Sequence, residues 1–213
     1  MVELLGNLLA HSLTHEVVQA VADVHTQTYA GPEVEGMTSN NVRQLLHKLA
    51  PAGGNYLEIG VWKGSTFLAA TADSCLAHAT AIDHWLAFGG PREEFHANLA
   101  AHRDRLPPTK VIDANCWDVP LEDIPGPVDL FFYDGGHAEH LQKRAITHFW
   151  PILNHPCIVV IDDWNDPNHN VPRGTMDGFR DVDADIAAQI ILNCAKLSDA
   201  NGWWRGVAVT IVR

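Results

Sequence analysis

Residues 158–166 read IVVIDDWND. Four β-branched apolar residues, Ile158, Val159, Val160 and Ile161, run directly into two carboxylates, Asp162 and Asp163. The apolar run has the composition of a strand buried on both faces of a parallel sheet. Like charges side by side at its end repel each other, so their placement calls for a chemical reason. A second group lies upstream in LEIGVWKGST, residues 57–66. There Gly60 and Gly64 remove Cβ atoms where the chain turns sharply and a ligand comes close. Their G-x-x-x-G spacing is neither the dinucleotide G-x-G-x-x-G nor the Walker pattern, which needs a Lys after its last Gly. Glu58, just ahead of the turn, repels phosphate and attracts a cation. Asp83 ends the next apolar run, where an acidic group takes ribose hydroxyls. Two carboxylates without a basic clamp suit a positively charged nucleoside better than a dinucleotide.

These residues need a framework that brings strand ends together, and the chain supplies an alternating one. Strands are expected at 55–61, 79–85, 110–115, 127–136 and 156–164, with helices at 64–76, 92–106 and from about Glu139 to Leu153. A further helix is expected from Met176 to Ala188. The end of the chain reads as two strands joined by a turn at SDANG, with Val207, Val209 and Ile211 alternating. Ahead of the repeating unit, the first 27 or so residues have helical spacing, with Leu4, Leu5, Leu8 and Leu9 followed by Val17, Val18 and Val21. Ser39 or Asn40 can cap a helix through Leu45, Leu46 and Leu49 that ends at Pro51. The expected fold is α/β: a Rossmann-like, doubly wound, mostly parallel seven-stranded sheet with a C-terminal antiparallel hairpin and an N-terminal helical extension. Residues 1–37 form the extension and 38–213 the ligand-binding domain. Such sheets bind ligands at the carboxyl ends of their strands, where Glu58, Gly60, Asp83, Asn115, Asp134, Asp162 and Asp163 all fall.

Composition narrows the function. The chain has 213 residues, enough for one α/β domain with its own core. A formal charge of −12 repels a phosphate backbone and argues against nucleic acid as the partner. No apolar run approaches the ~18 residues of a membrane helix. With no signal-peptide pattern around Glu3, the expectation is a soluble, cytoplasmic protein with no membrane partner. Four scattered cysteines include no C-x-x-C pair, so structural zinc is not expected.

At this point the residues resemble a known family. YLEIGVWKGST looks like motif I of class I S-adenosylmethionine-dependent methyltransferases, and AIDHW matches their acidic motif II. The resemblance implies that Glu58 and Gly60 line the methionine moiety beside Gly64 and Ser65, and that Asp83 holds the ribose. It also implies that Cys116 and Trp117 border the adenine and that Thr38 and Ser39 contact the methionine carboxylate. Trp62 and Trp85 are candidates for packing near the sulfonium or the adenine, or for lids and core aromatics. The stretch from Asp129 to Asp166 resembles a narrower group, the metal-dependent macrocin-type and caffeoyl-CoA-type O-methyltransferases. By that resemblance Asp134, Asp162 and Asp163 hold a divalent cation, Mg²⁺ with Mn²⁺ or Ca²⁺ as alternatives, which removes the repulsion of the pair. Relatives commonly carry an acid two positions after the strand-4 Asp. Here that position is Gly136, followed by His137, the candidate base. The implied activity is methyl transfer from S-adenosyl-L-methionine to a hydroxyl of a small molecule, whether sugar, glycosylated natural product or phenolic. Alternatives are a non-catalytic cofactor-binding protein, or a metal-dependent hydrolase using Asp134, His137 and Asp163. A homo-oligomer is possible through the N-terminal helix.

Overall fold

In the computed structural model the chain is described from residue 2 to 213. Met1 and the side chains of residues 2–6, including the expected apolar Leu4 and Leu5, lie outside the described residues. The element order is α1 (Val2–Val24), α2 (Asn40–Leu49), β1 (Asn55–Ile59), α3 (Ser65–Thr71), β2 (His78–Asp83), α4 (Arg92–Ala101) and β3 (Thr109–Asp113). It continues with β4 (Val128–Tyr133), α5 (Glu139–Phe149), β5 (Leu153–Ile161), α6 (Val171–Asp181), β6 (Ile186–Leu192) and β7 (Val207–Val212). One seven-stranded sheet has the order β3-β2-β1-β4-β5-β7-β6. All pairings are parallel except those of β7 with β5 and β6. The expected α/β architecture and its antiparallel end are present.

Period-two alternation divides the sheet residues between two cores. Tyr56, Leu130, Phe132, Ile158 and Val160 face α1 to α4, whereas Leu57, Phe131, Tyr133, Val159 and Ile161 face α5 and α6. Both faces are covered, which is why the strand sequences are continuously apolar. Helix α1 places Ala10, Val17, Ala20 and Val24 in the first core and touches α2, β5, β6 and β7. Ser39 caps α2, its Oγ accepting from Val42 N–H. Among the described residues no helix is long and apolar enough to cross a membrane.

One expected helix is displaced. Instead of Met176–Ala188, α6 spans Val171–Asp181, and β6 takes over from Ile186. Pro172 lies in the first turn of α6, where its missing N–H has no helical partner to lose. Gly174 and Gly178 lie against α5: a Cβ on Gly174 would stand 2.2 Å from the Glu139 carbonyl oxygen, and one on Gly178 would stand 2.8 Å from Ile146 Cβ. Residues 172–174, PRG, are therefore helix. The connection between β6 and β7, residues 193–206, is also longer than a turn at SDANG.

Candidate active site

Register assembles the site. Ile59 pairs with Ile82 on one side and Tyr133 on the other, and Tyr133 pairs with Ile161. The residues that follow, Asp83, Gly60, Asp134 and Asp162, therefore form a row across the carboxyl ends of β2, β1, β4 and β5. Strand order reverses between β1 and β4, the switch point at which open α/β sheets bind ligands.

At the β1 turn, Gly60 and Gly64 have φ of 85° and 87°, conformations that favour glycine. The close approach at Gly60 is to the protein's own backbone: a Cβ there would lie 2.1 Å from the Asp134 carbonyl oxygen. At Gly64 the neighbour is the Phe95 ring, at 3.0 Å. The glycines thus bring β1 against β4 and the turn against α4, a tertiary requirement that the sequence expectation assigned to the ligand. Glu58 is fully buried and accepts from Tyr56 Oη–H and from Thr66 Oγ1–H, the latter at 2.6 Å. Burial pushes its carboxyl up to about 8 against the pull of those two hydrogen bonds. Glu58 therefore underpins the turn with both oxygens engaged, and a cation bound nearby would favour its ionised form.

Asp83 accepts Trp62 N–H on Oδ2 at 2.9 Å and Trp85 N–H on Oδ1 at 2.7 Å. A carboxylate has about four lone-pair positions, so acceptor capacity remains. Trp85 Nε1–H donates to the Trp62 carbonyl, and its buried ring lies 5.1 Å from that of Phe95. Trp85 is thus a core aromatic. Trp62 reaches over the next loop, donating from Nε1 to the Phe88 carbonyl. Beyond β3, the side chain of Asn115 accepts Trp117 N–H. Trp117 packs against Tyr133 and Phe149 with the Arg144 guanidinium 4.5 Å above its ring, which braces this edge to α5. Burial raises the Cys116 thiol to about 12, so it is an unionised lining group. Thr38 is buried and Oγ1 has no partner among the described residues. Ser39 Oγ donates to the Gly202 carbonyl and Ser65 Oγ to that of Val34.

The acidic cluster at β4 and β5 is under electrostatic stress. Burial, then mutual repulsion, raises the carboxyls of Asp134 and Asp162 well above the usual range. Asp162 Oδ1 is buried with no partner. Asp163, at φ 55°, is raised by burial, with His137 and Arg205 beside it pulling the other way. Its Oδ2 lies 3.2 Å from His137 Nε2 and 3.6 Å from Arg205 Nη1. Among the described residues no three His, Cys, Asp or Glu side chains already surround a common point as metal ligands would. Sequence reasoning missed Arg205, which also pairs with Asp166 at 3.0 Å, and His169, whose Nδ1 lies 3.1 Å from Asp166 Oδ2. The antiparallel β5–β7 register brings them in: Ile161 opposes Ala208, so the residues before β7 lie beside those after β5. Backbone bonds from Trp164 N–H to the Gly206 carbonyl and from Asn165 N–H to that of Arg205 fix the match.

A family model described as a methyltransferase domain matches residues 57–164, from the β1 turn through the acidic pair. The chain belongs to the methyltransferase-domain family. Solved structures share its class I methyltransferase fold. TomG from Streptomyces achromogenes, an O-methyltransferase in complex with S-adenosylmethionine, is 20% identical, with 92% of this chain and 89% of TomG covered at a TM-score of 0.57. An O-methyltransferase from Bacillus cereus in complex with S-adenosylhomocysteine is 15% identical, with 95% and 91% covered at 0.52. A Streptococcus mutans protein matches 82% of this chain at 12% identity and a TM-score of 0.58, and the chain spans 48% of its length. A search of curated proteins found no sequence match. At these identities the structural likeness establishes the fold. The family match makes this a methyltransferase domain.

Proposed function

We propose that this methyltransferase domain transfers a methyl group from S-adenosyl-L-methionine to a hydroxyl of a small polar molecule, assisted by a divalent cation. The observation that carries the reading is the row Asp83–Gly60–Asp134–Asp162 running into the His137–Asp163 pair, with a nucleoside end and an acid–base end on one sheet edge. Complexes of TomG and the B. cereus enzyme with S-adenosylmethionine and S-adenosylhomocysteine support the choice of cofactor.

When bound, S-adenosylmethionine supplies a methyl group on a positively charged sulfur. Asp83 would take ribose hydroxyls with its remaining lone pairs, and the acidic surroundings favour the sulfonium over a neutral nucleoside. His137 is arranged as a base. With Nε2–H donating to Asp163, the neutral ring keeps its lone pair on Nδ1, a buried atom with no partner. Burial, outweighing the Asp163 charge, lowers the imidazole pKa and keeps it neutral near pH 7. Nδ1 would receive the proton of the acceptor hydroxyl.

Asp134, Asp162 and Asp163 would hold the cation. The donor set is oxygen only, as Mg²⁺ or Mn²⁺ prefers, and the unpartnered Asp162 Oδ1 is the kind of atom a cation satisfies. There a cation would acidify and orient the acceptor hydroxyl. An open cleft of about 440 Å³ adjoins this end, lined by Trp164, Asp166, Asn168, His169 and Asn170 among others. The His169 ring lies 5.9 Å from that of His137. So polar a lining favours a polyhydroxylated acceptor, a sugar or glycoside, over a flat phenolic.

Adding Mg²⁺ or Mn²⁺ to chelated protein should raise its melting temperature, because a ligand for the native state stabilises it by mass action. Asp162→Asn should remove most of that rise, and labelled methyl transfer to glycoside hydroxyls should depend on the same ion. An unchanged melting temperature would remove the cation from the account. Cofactor binding without transfer to any hydroxyl acceptor would favour a binding protein.

A further inference from the structure

Gln44 is a buried amide without a partner. Helix α2 turns Val42, Leu45, Leu46 and Leu49 into the core, and Gln44 is buried among them at 5% exposure. Glutamine is mostly a surface residue, and an amide taken out of water costs free energy unless it is hydrogen-bonded. Its neighbours on α2 are engaged: Arg43 donates to Ser65 Oγ, His47 Nδ1–H to the Ala69 carbonyl and Lys48 to Asp23, whereas among the described residues the Gln44 side chain makes no hydrogen bond. It lines a cleft of about 270 Å³ instead, shared with Tyr29, Lys48, Ala72 and Arg105.

The cleft lies apart from the row of carboxylates and shares no residue with the cofactor or metal sets. Helix α3 leaves the carboxyl end of β1 and runs back, so Ala72 and Asp73 beyond its last turn lie toward the opposite edge of the sheet. There Gly53 N–H, just ahead of β1, bonds to the Cys75 carbonyl. One wall is Tyr29, folded back so that a Cβ on Gly31 would stand 2.4 Å from its Oη, which donates to the Pro32 carbonyl. Burial pushes this phenol up to about 12, against the pull of the Arg43 and Arg105 guanidiniums, so it carries no negative charge. The one acid among the described lining residues, Asp73, is held by Arg105 through Nε and Nη2. Lys48 gives one of its three N–H donors to Asp23 at 3.1 Å, and Arg105 uses two of its five on Asp73. Two donors of Lys48, three of Arg105 and both of the Gln44 amide remain, against the single amide oxygen of Gln44 as acceptor on these three side chains. In a chain of net charge −12 this cleft is cationic and rich in donors, the complement of an anion. Its volume and the Tyr29 and Ala72 walls leave room for an apolar body beside the charged group.

We propose that this cleft is a second ligand site, which takes a small organic anion, a carboxylate or a phosphate monoester, with Gln44, Lys48 and Arg105 as its donors. The anion sits between the cations and the apolar body against Tyr29. The site stands whether or not the cofactor reading holds, because the two share no side chain.

Amide-resolved NMR titration of the purified protein with benzoate, phenyl phosphate and the uncharged benzyl alcohol tests this. At least one of the two anions should shift the amides of residues 27–31, 44–48, 72–73 and 105 saturably and leave those of Gly60, Asp83 and Asp134 in place. The tighter anion then identifies the head group. Benzyl alcohol, equal in ring but without charge, should bind about 10-fold more weakly or less, as expected for loss of charge-assisted hydrogen bonds. Lys48→Gln and Gln44→Leu should each weaken the anions about 10-fold. Lys48 is partly exposed, so its variant carries the test should the Gln44 protein not fold. Equal binding of benzyl alcohol would make the cleft an apolar crevice and overturn the proposal. Shifts centred on Gly60 and Asp83, no saturable shift at all, or undiminished anion binding in the folded Lys48 variant would overturn it too.

Discussion

Replacing His137 by alanine is expected to lower methyl transfer about 10²–10⁴-fold while leaving cofactor affinity nearly unchanged, the range seen when a positioned general base is removed. His137 lies on the β4–α5 connection and pairs with Asp163, not with Asp83 or Glu58, so its loss should spare the nucleoside end. Its Nε2 is fixed by Asp163 at 3.2 Å, which leaves Nδ1 for the acceptor. The pH dependence gives a second readout. Catalysis needs the neutral imidazole, and burial lowers its pKa from the ordinary 6.5. Activity should therefore fall on acidification only below that ordinary value, and this acidic limb should vanish in His137→Ala. A variant with near-normal turnover and the same acidic limb would make His137 structural and give activation of the hydroxyl to another group.

Asp83→Ala is the second substitution with a large expected effect. Removing the carboxylate takes away hydrogen bonds to a charged acceptor worth roughly 1.5–3 kcal/mol, or about 10–150-fold in cofactor affinity. The structure adds a cost that the sequence did not reveal: Trp62 N–H and Trp85 N–H both lose their acceptor. The loops after β1 and β2 should loosen together, and the melting temperature should fall with affinity. Asp83→Asn keeps one acceptor oxygen and should lie between wild type and alanine in both measurements. Unimpaired cofactor affinity in a folded Asp83→Ala protein would remove Asp83 from the ribose site. Calorimetry and thermal melting on the same samples decide the matter.

Much of this was legible in residue order, for identifiable reasons. Strands such as LFFY and IVVI are continuously apolar because both faces of the sheet are covered, so their polar terminators, Asp134 and Asp162, stand out. Parallel register then aligns those terminators without long-range information. Helix α6 starts before the expected Met176 because proline is tolerated in a first helical turn and Gly174 is set by the distance to α5, neither of which helical periodicity reveals. The glycine requirement at Gly60 is legible but its cause is not, since nothing in one sequence says that the Asp134 carbonyl stands 2.1 Å from the absent Cβ. Arg205 was invisible for a similar reason. Its approach to Asp163 and Asp166 depends on how far the antiparallel β7 overlaps β5, and the irregular chain between β6 and β7 conceals that register.

If the carboxyl ends of β1, β2 and β4 form a site for S-adenosylmethionine, the protein should bind its product as well. Titration of the purified protein with S-adenosylhomocysteine, followed by calorimetry, tests it most directly, with NAD⁺ as the comparison because it shares the adenosine but carries a pyrophosphate. Saturable one-to-one binding of S-adenosylhomocysteine is expected and none of NAD⁺, since the strand-1 turn offers no basic cradle for two phosphates and Asp83 stands beside it. Binding of NAD⁺ in preference to S-adenosylhomocysteine would contradict it.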